Sequence, residues 1–290
     1  MGCPYDCNET GPHRSLNTLS MNAIYLLGMS HIMPVLRACS PSKDGHYNHF
    51  GNGIAPRFID WPTLPGILPA PLKVASIYVG HVAPFWGPVL AHQDPSGGLA
   101  CADGFRHLLE SIELEGGRTP LFVFMNGEEH IHMSRRRFET PYDFFVPERP
   151  DLAIAPLRQV LPTSTIEKQA HHFLAPAKAS FLAMRALCRM ATIINVLCPP
   201  PVLGTSLPPD APEKSIDGDT KDPLRLKNYL VYARVLREFL EPLGIETLTP
   251  PPETLTPEGM LRAEYTGDPV HGNVEYGLRV LAQLQSLLRK

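Results

Sequence analysis

The chain is 290 residues long with Lys+Arg 26 against Asp+Glu 29, a formal net charge of -3, so it can bury a large core and carries no field that would hold a nucleic acid. Hydrophobic residues at 43% and charged residues at 19% are ordinary for a globular protein, whereas the 32 prolines are roughly twice the usual share of about 5% and predict long, punctuated loops. Six cysteines are too few for a dense disulfide framework and fit a reduced compartment, with Cys39, Cys101, Cys188 and Cys198 read as small core hydrophobes.

Residues 1–20, with Cys3, Cys7 and His13 among polar neighbours, lack the basic start and apolar run of a secretion signal. They are expected to form a flexible extension, residues 21–290 a single domain, and the location to be cytoplasmic. The most apolar long stretch, Phe181 to Cys198, is interrupted by Arg185 and Arg189, so no membrane span is predicted.

Ala23 to Leu27 is a short apolar run closed by Gly28, the pattern of a buried parallel strand. A helix can follow over His31 to Ala38 with Pro34 in its first turn. Val74 to Val79 and Leu121 to Met125 are two further strands, and Gly104 to Leu114 between them has helical spacing through Phe105, Leu108, Leu109 and Ile112. From Ile166 to Met190 the pattern is again helical, leading into a fourth strand over Ala191 to Leu197 that Pro199-Pro200-Pro201 stops. A polar loop with Asp217, Asp219 and Asp222 precedes an amphipathic helix over Leu224 to Leu240 and a fifth strand over Gly244 to Leu248. A last helix spans Asn273 to Leu288. This order predicts a three-layer α/β/α domain on a parallel sheet of about five strands.

In such a sheet reactive groups gather at the carboxyl ends of the strands, and Gly28-Met29-Ser30-His31 stands at that end of the first strand. Gly28 permits a tight turn, and Ser30 would present its hydroxyl at a helix start where backbone N–H groups can meet a developing oxyanion. Near the other terminus, Asp268-Pro269-Val270-His271 sets a carboxylate three residues before an imidazole. A serine hydroxyl needs an imidazole to take its proton and a carboxylate to hold that imidazole in the right tautomer. Ser30, His271 and Asp268 supply the three roles. Singly, each has an ordinary structural explanation: a helix cap for Ser30, a turn former for Asp268, an exposed helix-start residue for His271.

The blocks Gly28-Met29-Ser30 and Asp268-Pro269-Val270-His271, the latter continuing as Gly272-Asn273-Val274-Glu275-Tyr276-Gly277, resemble the first and last motifs of the SGNH (GDSL-like) hydrolase superfamily. The resemblance spans the chain from about Met21 onward and rests on short motifs. It implies a flavodoxin-like fold and a serine-dependent ester hydrolase, an esterase or deacylase acting without a cofactor on a small-molecule or carbohydrate ester. Met29 departs from the family's aspartate. After the third strand the family has an asparagine that donates to the oxyanion, where this chain reads Asn126-Gly127-Glu128-Glu129-His130. Alignment on residue type gives Asn126 that role; alignment on the terminal Glu-His gives Glu128, which cannot donate unless protonated. The family's remaining donor is a loop glycine, for which Gly80 and Gly87 are candidates and Gly87 the preferred one, so Ser30, Asn126 and Gly87 make up the implied oxyanion hole. Two other readings keep the same fold: a non-catalytic binding or accessory protein, and an acyltransferase using the same triad.

Glu128, Glu129, His130 and His132, with His81 and His92, are potential metal ligands. Their spacing matches neither a helical His-Glu-x-x-His site nor a Cys-rich zinc site, so no metal is expected. Arg135-Arg136-Arg137 and His171-His172 read as solvated surface, and neither a membrane nor an oligomeric state is indicated.

Overall fold

The fold is described from a computed structural model for residues 23–28, 30–39, 57–60, 73–78, 90–114, 120–124, 129–135, 141–203 and 222–288. Its centre is a six-stranded sheet. Five strands are parallel, in the order β3 (Lys73–Tyr78), β1 (Ala23–Gly28), β6 (Leu121–Phe124), β9 (Ile193–Val196) and β10 (Glu246–Leu248). An antiparallel strand, β2 (Arg57–Asp60), completes the edge beside β3. The five predicted strands are these five parallel ones, and their order is the flavodoxin-like one, in which the chain turns from one side of β1 to the other after β3.

Strand periodicity sorts the sheet's side chains onto two faces. Leu26, Phe122, Phe124, Ile194 and Val196 enter one core, closed by α1 (Met33–Cys39) and α7 (Val274–Leu288). Tyr25, Leu27, Leu121, Val123 and Ile193 enter the other. That second core is closed by α2 (Asp103–Leu114), α4 (Thr163–Phe173), α5 (Ala175–Leu187) and α6 (Asp222–Leu240), with Met133 of α3 (Glu129–Arg135) also in it. The result is a three-layer α/β/α domain. Two short pairs lie outside the sheet, the hairpin β4 (Ala91–Gln93) with β5 (Leu99–Cys101) and the parallel pair β7 (Tyr142–Asp143) with β8 (Gln159–Val160).

Two helical expectations change in detail. The pattern from Ile166 onward is broken at Leu174, which caps α4 and leads into α5 with Pro176 in its first turn; a proline there lacks the N–H that a continuous helix would use. The helix expected to be amphipathic, α6, buries Arg225, Lys227 and Asn228 as well as its apolar stripe. The 141–160 segment covers Lys227 and Asn228, while Arg225 donates to the Val202 carbonyl at 3.4 Å. Lys227 Nζ donates to Asp143 Oδ1 at 2.8 Å and to the Ala153 carbonyl at 3.0 Å, and Asn228 Nδ2 donates to Ser134 Oγ at 3.1 Å. Asp143 also accepts from the Phe144 and Ala155 N–H groups. The Lys227 ammonium and the Asp143 carboxylate are thus each held by two or more partners, the condition under which buried charge is tolerated.

The helices that bracket the site pack tightly. Val280, Leu281 and Leu284 of α7 are fully buried against Ile32, Val35 and Leu36, and burial of each such side chain is worth about 1.5–3 kcal/mol. The approach is close enough that a Cβ on Gly277 would overlap the Pro34 carbonyl and sit 2.9 Å from the Val35 nitrogen. Gly28 ends β1 under a similar constraint, since a Cβ there would fall 2.6 Å from the Phe124 Cβ of β6.

Candidate active site

Ser30 opens a three-residue 3-10 turn, Ser30–Ile32, that runs directly into α1. It therefore stands at the carboxyl end of β1, between β3 and β6, where the strand order reverses and where ligands of open α/β sheets bind.

The second half of the site is a tight loop before α7. Thr266 and Gly272 form an antiparallel bridge, and the Gly267 N–H donates to the His271 carbonyl at 2.9 Å. Asn273 anchors this loop at its base. Its Oδ1 accepts from the Tyr276 N–H at 3.1 Å as the cap of α7, while its Nδ2 donates to the Glu264 carbonyl at 2.8 Å. Asparagine is among the best residues for such a cap, so the residue noted in sequence only as part of a motif is what ties the loop to the helix.

Within that loop the Asp268 carboxylate is over-determined. Oδ1 accepts from the backbone N–H groups of Val270 and His271, each at 2.8 Å. The His271 ring approaches through Nδ1, at 2.8 Å from Oδ2 and 3.0 Å from Oδ1. Partial burial pushes the Asp268 carboxyl up, but the Val270 N–H, the His271 ring and the His271 N–H outweigh it and hold the group below its usual range. An ionised carboxylate only accepts, so the facing Nδ1 carries a proton, and in the neutral imidazole Nε2 is then the ring nitrogen with the lone pair. Nε2 is buried and has no hydrogen-bond partner among the described residues.

Ser30, Asp268 and His271 line one cleft of about 210 Å³, together with Met33, Pro34, Arg37, Gly267 and Gly272. Residues from near the two ends of the chain thus meet at one cleft, and no hydrogen bond joins Ser30 to Nε2. Met33, Pro34 and Arg37 were not singled out from sequence, although they follow Ser30 at the i+3, i+4 and i+7 spacing that puts them on one helical face. His31 was noted only as Ser30's neighbour. It is 5% exposed, and its ring centroid lies 4.7 Å from that of His271.

Of the oxyanion residues expected from sequence, Ser30 is described, while Asn126 and Gly87, like their alternatives Glu128 and Gly80, lie outside the described residues. So do His81, Arg136, Arg137 and the aspartates at 217 and 219.

The acidic and histidine-rich segment weighed for metal binding forms a helix over Glu129–Arg135, and the helix sends its histidines in different directions. His130 is buried against Tyr229 and Tyr232 of α6, whereas His132 stacks on Phe173 of α4 at 5.9 Å. Among the described residues no group of three or more His, Cys, Asp or Glu could hold a metal ion. Cys198 lies beside His130 and Tyr232, with its thiol pushed far up by burial and then by Glu129. Burial likewise raises the Cys188 thiol to about 12. Both are core residues, as expected. No described helix is long and apolar enough to cross a membrane.

No protein-family model matches the chain, and no curated protein does. Among solved structures it is similar to a GDSL-like lipase from Bacteroides thetaiotaomicron at 9% identity and a TM-score of 0.36, over 92% of this chain and 87% of that one.

Proposed function

We propose that this chain is a serine-dependent ester hydrolase of the SGNH type. The observation that carries the reading is the cleft shared by Ser30 and the Asp268–His271 pair, in which Nε2 is buried and unpartnered while Nδ1 is held by a carboxylate. A buried polar atom without a partner calls for an explanation, and a base awaiting a proton donor is one.

In the proposed reaction the Ser30 hydroxyl attacks an ester carbonyl as Nε2 of His271 takes its proton, and Asp268 stabilises the imidazolium that forms. The Ser30 N–H, with Asn126 and Gly87 as the companions suggested by sequence, meets the oxyanion of the tetrahedral intermediate. Collapse of that intermediate breaks the bond to the alcohol oxygen, which takes the proton from His271 and leaves an acyl-Ser30 ester. Water, deprotonated by the same nitrogen, attacks the acyl carbonyl and restores Ser30 with release of a carboxylic acid. In such sites nucleophile and base commonly close to hydrogen-bond length only when substrate binds.

Labelling by a fluorophosphonate tests the reading. The probe should modify the wild type at Ser30, as located by peptide mass spectrometry, and should fail on folded Ser30→Ala and label His271→Ala far more slowly. A folded wild type that resists the probe, or a Ser30→Ala protein labelled as fast as wild type, would refute it.

A further inference from the structure

The serine chemistry above leaves unexplained the second imidazole behind the cleft. His31 is 5% exposed and lies against His271, with ring centroids 4.7 Å apart and ring planes at 41°. Asp268 holds His271 through one ring atom, Nδ1. Nδ1 and the neighbouring Cγ, bonded to Cβ, hold one edge of the ring and fix the tautomer, yet small changes in the side-chain torsions still let the ring swing slightly and move Nε2 at the far side within the cleft. Arresting that swing takes a surface against the face of the ring. His31 provides one, and it is carried by the same three-residue turn as Ser30, so the support and the nucleophile move as one piece.

We propose that His31 is a positioning residue that holds the Nε2 edge of His271 in the cleft through ring-on-ring contact; as a claim about catalysis this rests on the serine reading above. A histidine that merely fills the core is replaceable by any apolar side chain of similar volume. A support for a ring must present a flat face, which phenylalanine keeps and leucine lacks.

The test compares wild type with His31→Phe, His31→Leu and His31→Ala in two measurements, each after urea denaturation has shown the protein to be folded. In fluorophosphonate labelling, His31→Phe should keep the maximal inactivation rate within about threefold of wild type, while the Leu and Ala variants lose about 10- to 100-fold with the half-saturating probe concentration unchanged, the scale expected of a reacting group displaced by about 1 Å. In NMR of protein labelled at the histidine rings, the His271 Cε1 proton should show an upfield ring-current shift in wild type and His31→Phe that disappears in the Leu and Ala variants. A folded His31→Leu protein that labels at the wild-type rate overturns the proposal while leaving Ser30 as the nucleophile. If wild type itself is not labelled, the serine reading fails, and the NMR comparison still decides the contact: a His271 signal that does not move between wild type and His31→Leu or His31→Ala overturns it.

Discussion

Replacing Gly277 by alanine joins packing to chemistry in a single measurement. Gly277 lies on α7 where the helix crosses α1, and the added Cβ would overlap the carbonyl oxygen and carbon of Pro34 and press on the Val35 nitrogen at 2.9 Å. The obstructing atoms are backbone, so no rotamer change relieves the contact, and ordinary carbon contact near 3.5 Å returns only if the helices part by roughly 1 Å. Two effects oppose each other. Alanine in a helix interior is favoured over glycine by about 0.8–1.0 kcal/mol, whereas overpacking a tight core costs about 1–3 kcal/mol. With rigid backbone on one side the upper part of that range applies, and a net loss of about 1–2 kcal/mol is expected from the two terms together. Urea denaturation monitored by circular dichroism would read it as a lowered midpoint with an unchanged slope. The chemical consequence should exceed the energetic one, because α1 continues directly from the turn that holds Ser30 and α7 begins three residues after His271. A separation of about 1 Å between reacting groups can cost on the order of 100-fold, so the folded fraction should label with fluorophosphonate about 10- to 100-fold more slowly. A Gly277→Ala protein as stable as wild type would refute the packing argument. One that is destabilised yet labelled at the wild-type rate would refute the coupling of helix separation to the site.

Other outcomes follow from particular contacts. Asp143→Ala removes the carboxylate from Lys227, which is fully buried, and should cost about 3–5 kcal/mol in urea denaturation; the double variant Asp143→Ala with Lys227→Met should lose less than the two single losses added together, and strict additivity would argue that the pair is uncoupled. Asp268 has its carboxyl held below the usual range by its hydrogen bonds. Its contribution to stability is therefore complete above the unfolded value near about 3.9 and is lost as pH falls through the lower folded value, and Asp268→Asn should abolish that part of the acid-limb dependence. The same variant should label with fluorophosphonate about 10³- to 10⁴-fold more slowly, and unchanged labelling would remove Asp268 from the machinery. Cys188 and Cys198 are buried and Cys101 is half-buried, so alkylation of native protein at pH 8 followed by peptide mapping should find Cys101 modified before these two.

Among the parallel strands, β1, β6 and β9 were legible because each is a compact apolar run buried on both faces, and such runs need no knowledge of partners. The antiparallel edge strand Arg57–Asp60 carries charge at both ends of four residues, and nothing in so short a segment separates it from a loop. The polar residues of α6 were misleading for a different reason. An amphipathic pattern leaves such residues to solvent, yet Lys227 and Asn228 are covered by the 141–160 segment, far away in sequence, which brings the Asp143 carboxylate to Lys227, and Arg225 is buried at the Val202 carbonyl. At the site, Asp268 and His271 were legible because a carboxylate three residues before an imidazole is a local geometry. The role of His31 was not, since its contact is with a ring at the other end of the chain.

That long-range contact also bears on the ordinary explanation of Ser30 as a helix cap. A capping serine requires only the turn it caps, and nothing about it would call for a carboxylate–imidazole pair from the far end of the chain. The fold nevertheless brings that pair to the same cleft by a route with two separate constraints. Asn273 fixes the loop of Asp268 and His271 to the first turn of α7. Gly277, one turn further on, lets α7 approach the backbone of α1 at Pro34, four residues after Ser30. If Ser30 were only a cap, a bulkier residue at position 277 with a slightly wider helix pair would serve the fold as well, and the better helix former would carry an advantage of about 1 kcal/mol. The glycine becomes intelligible when the distance between α1 and α7 matters for more than packing, as it does when one helix carries a nucleophile and the other is anchored to its base.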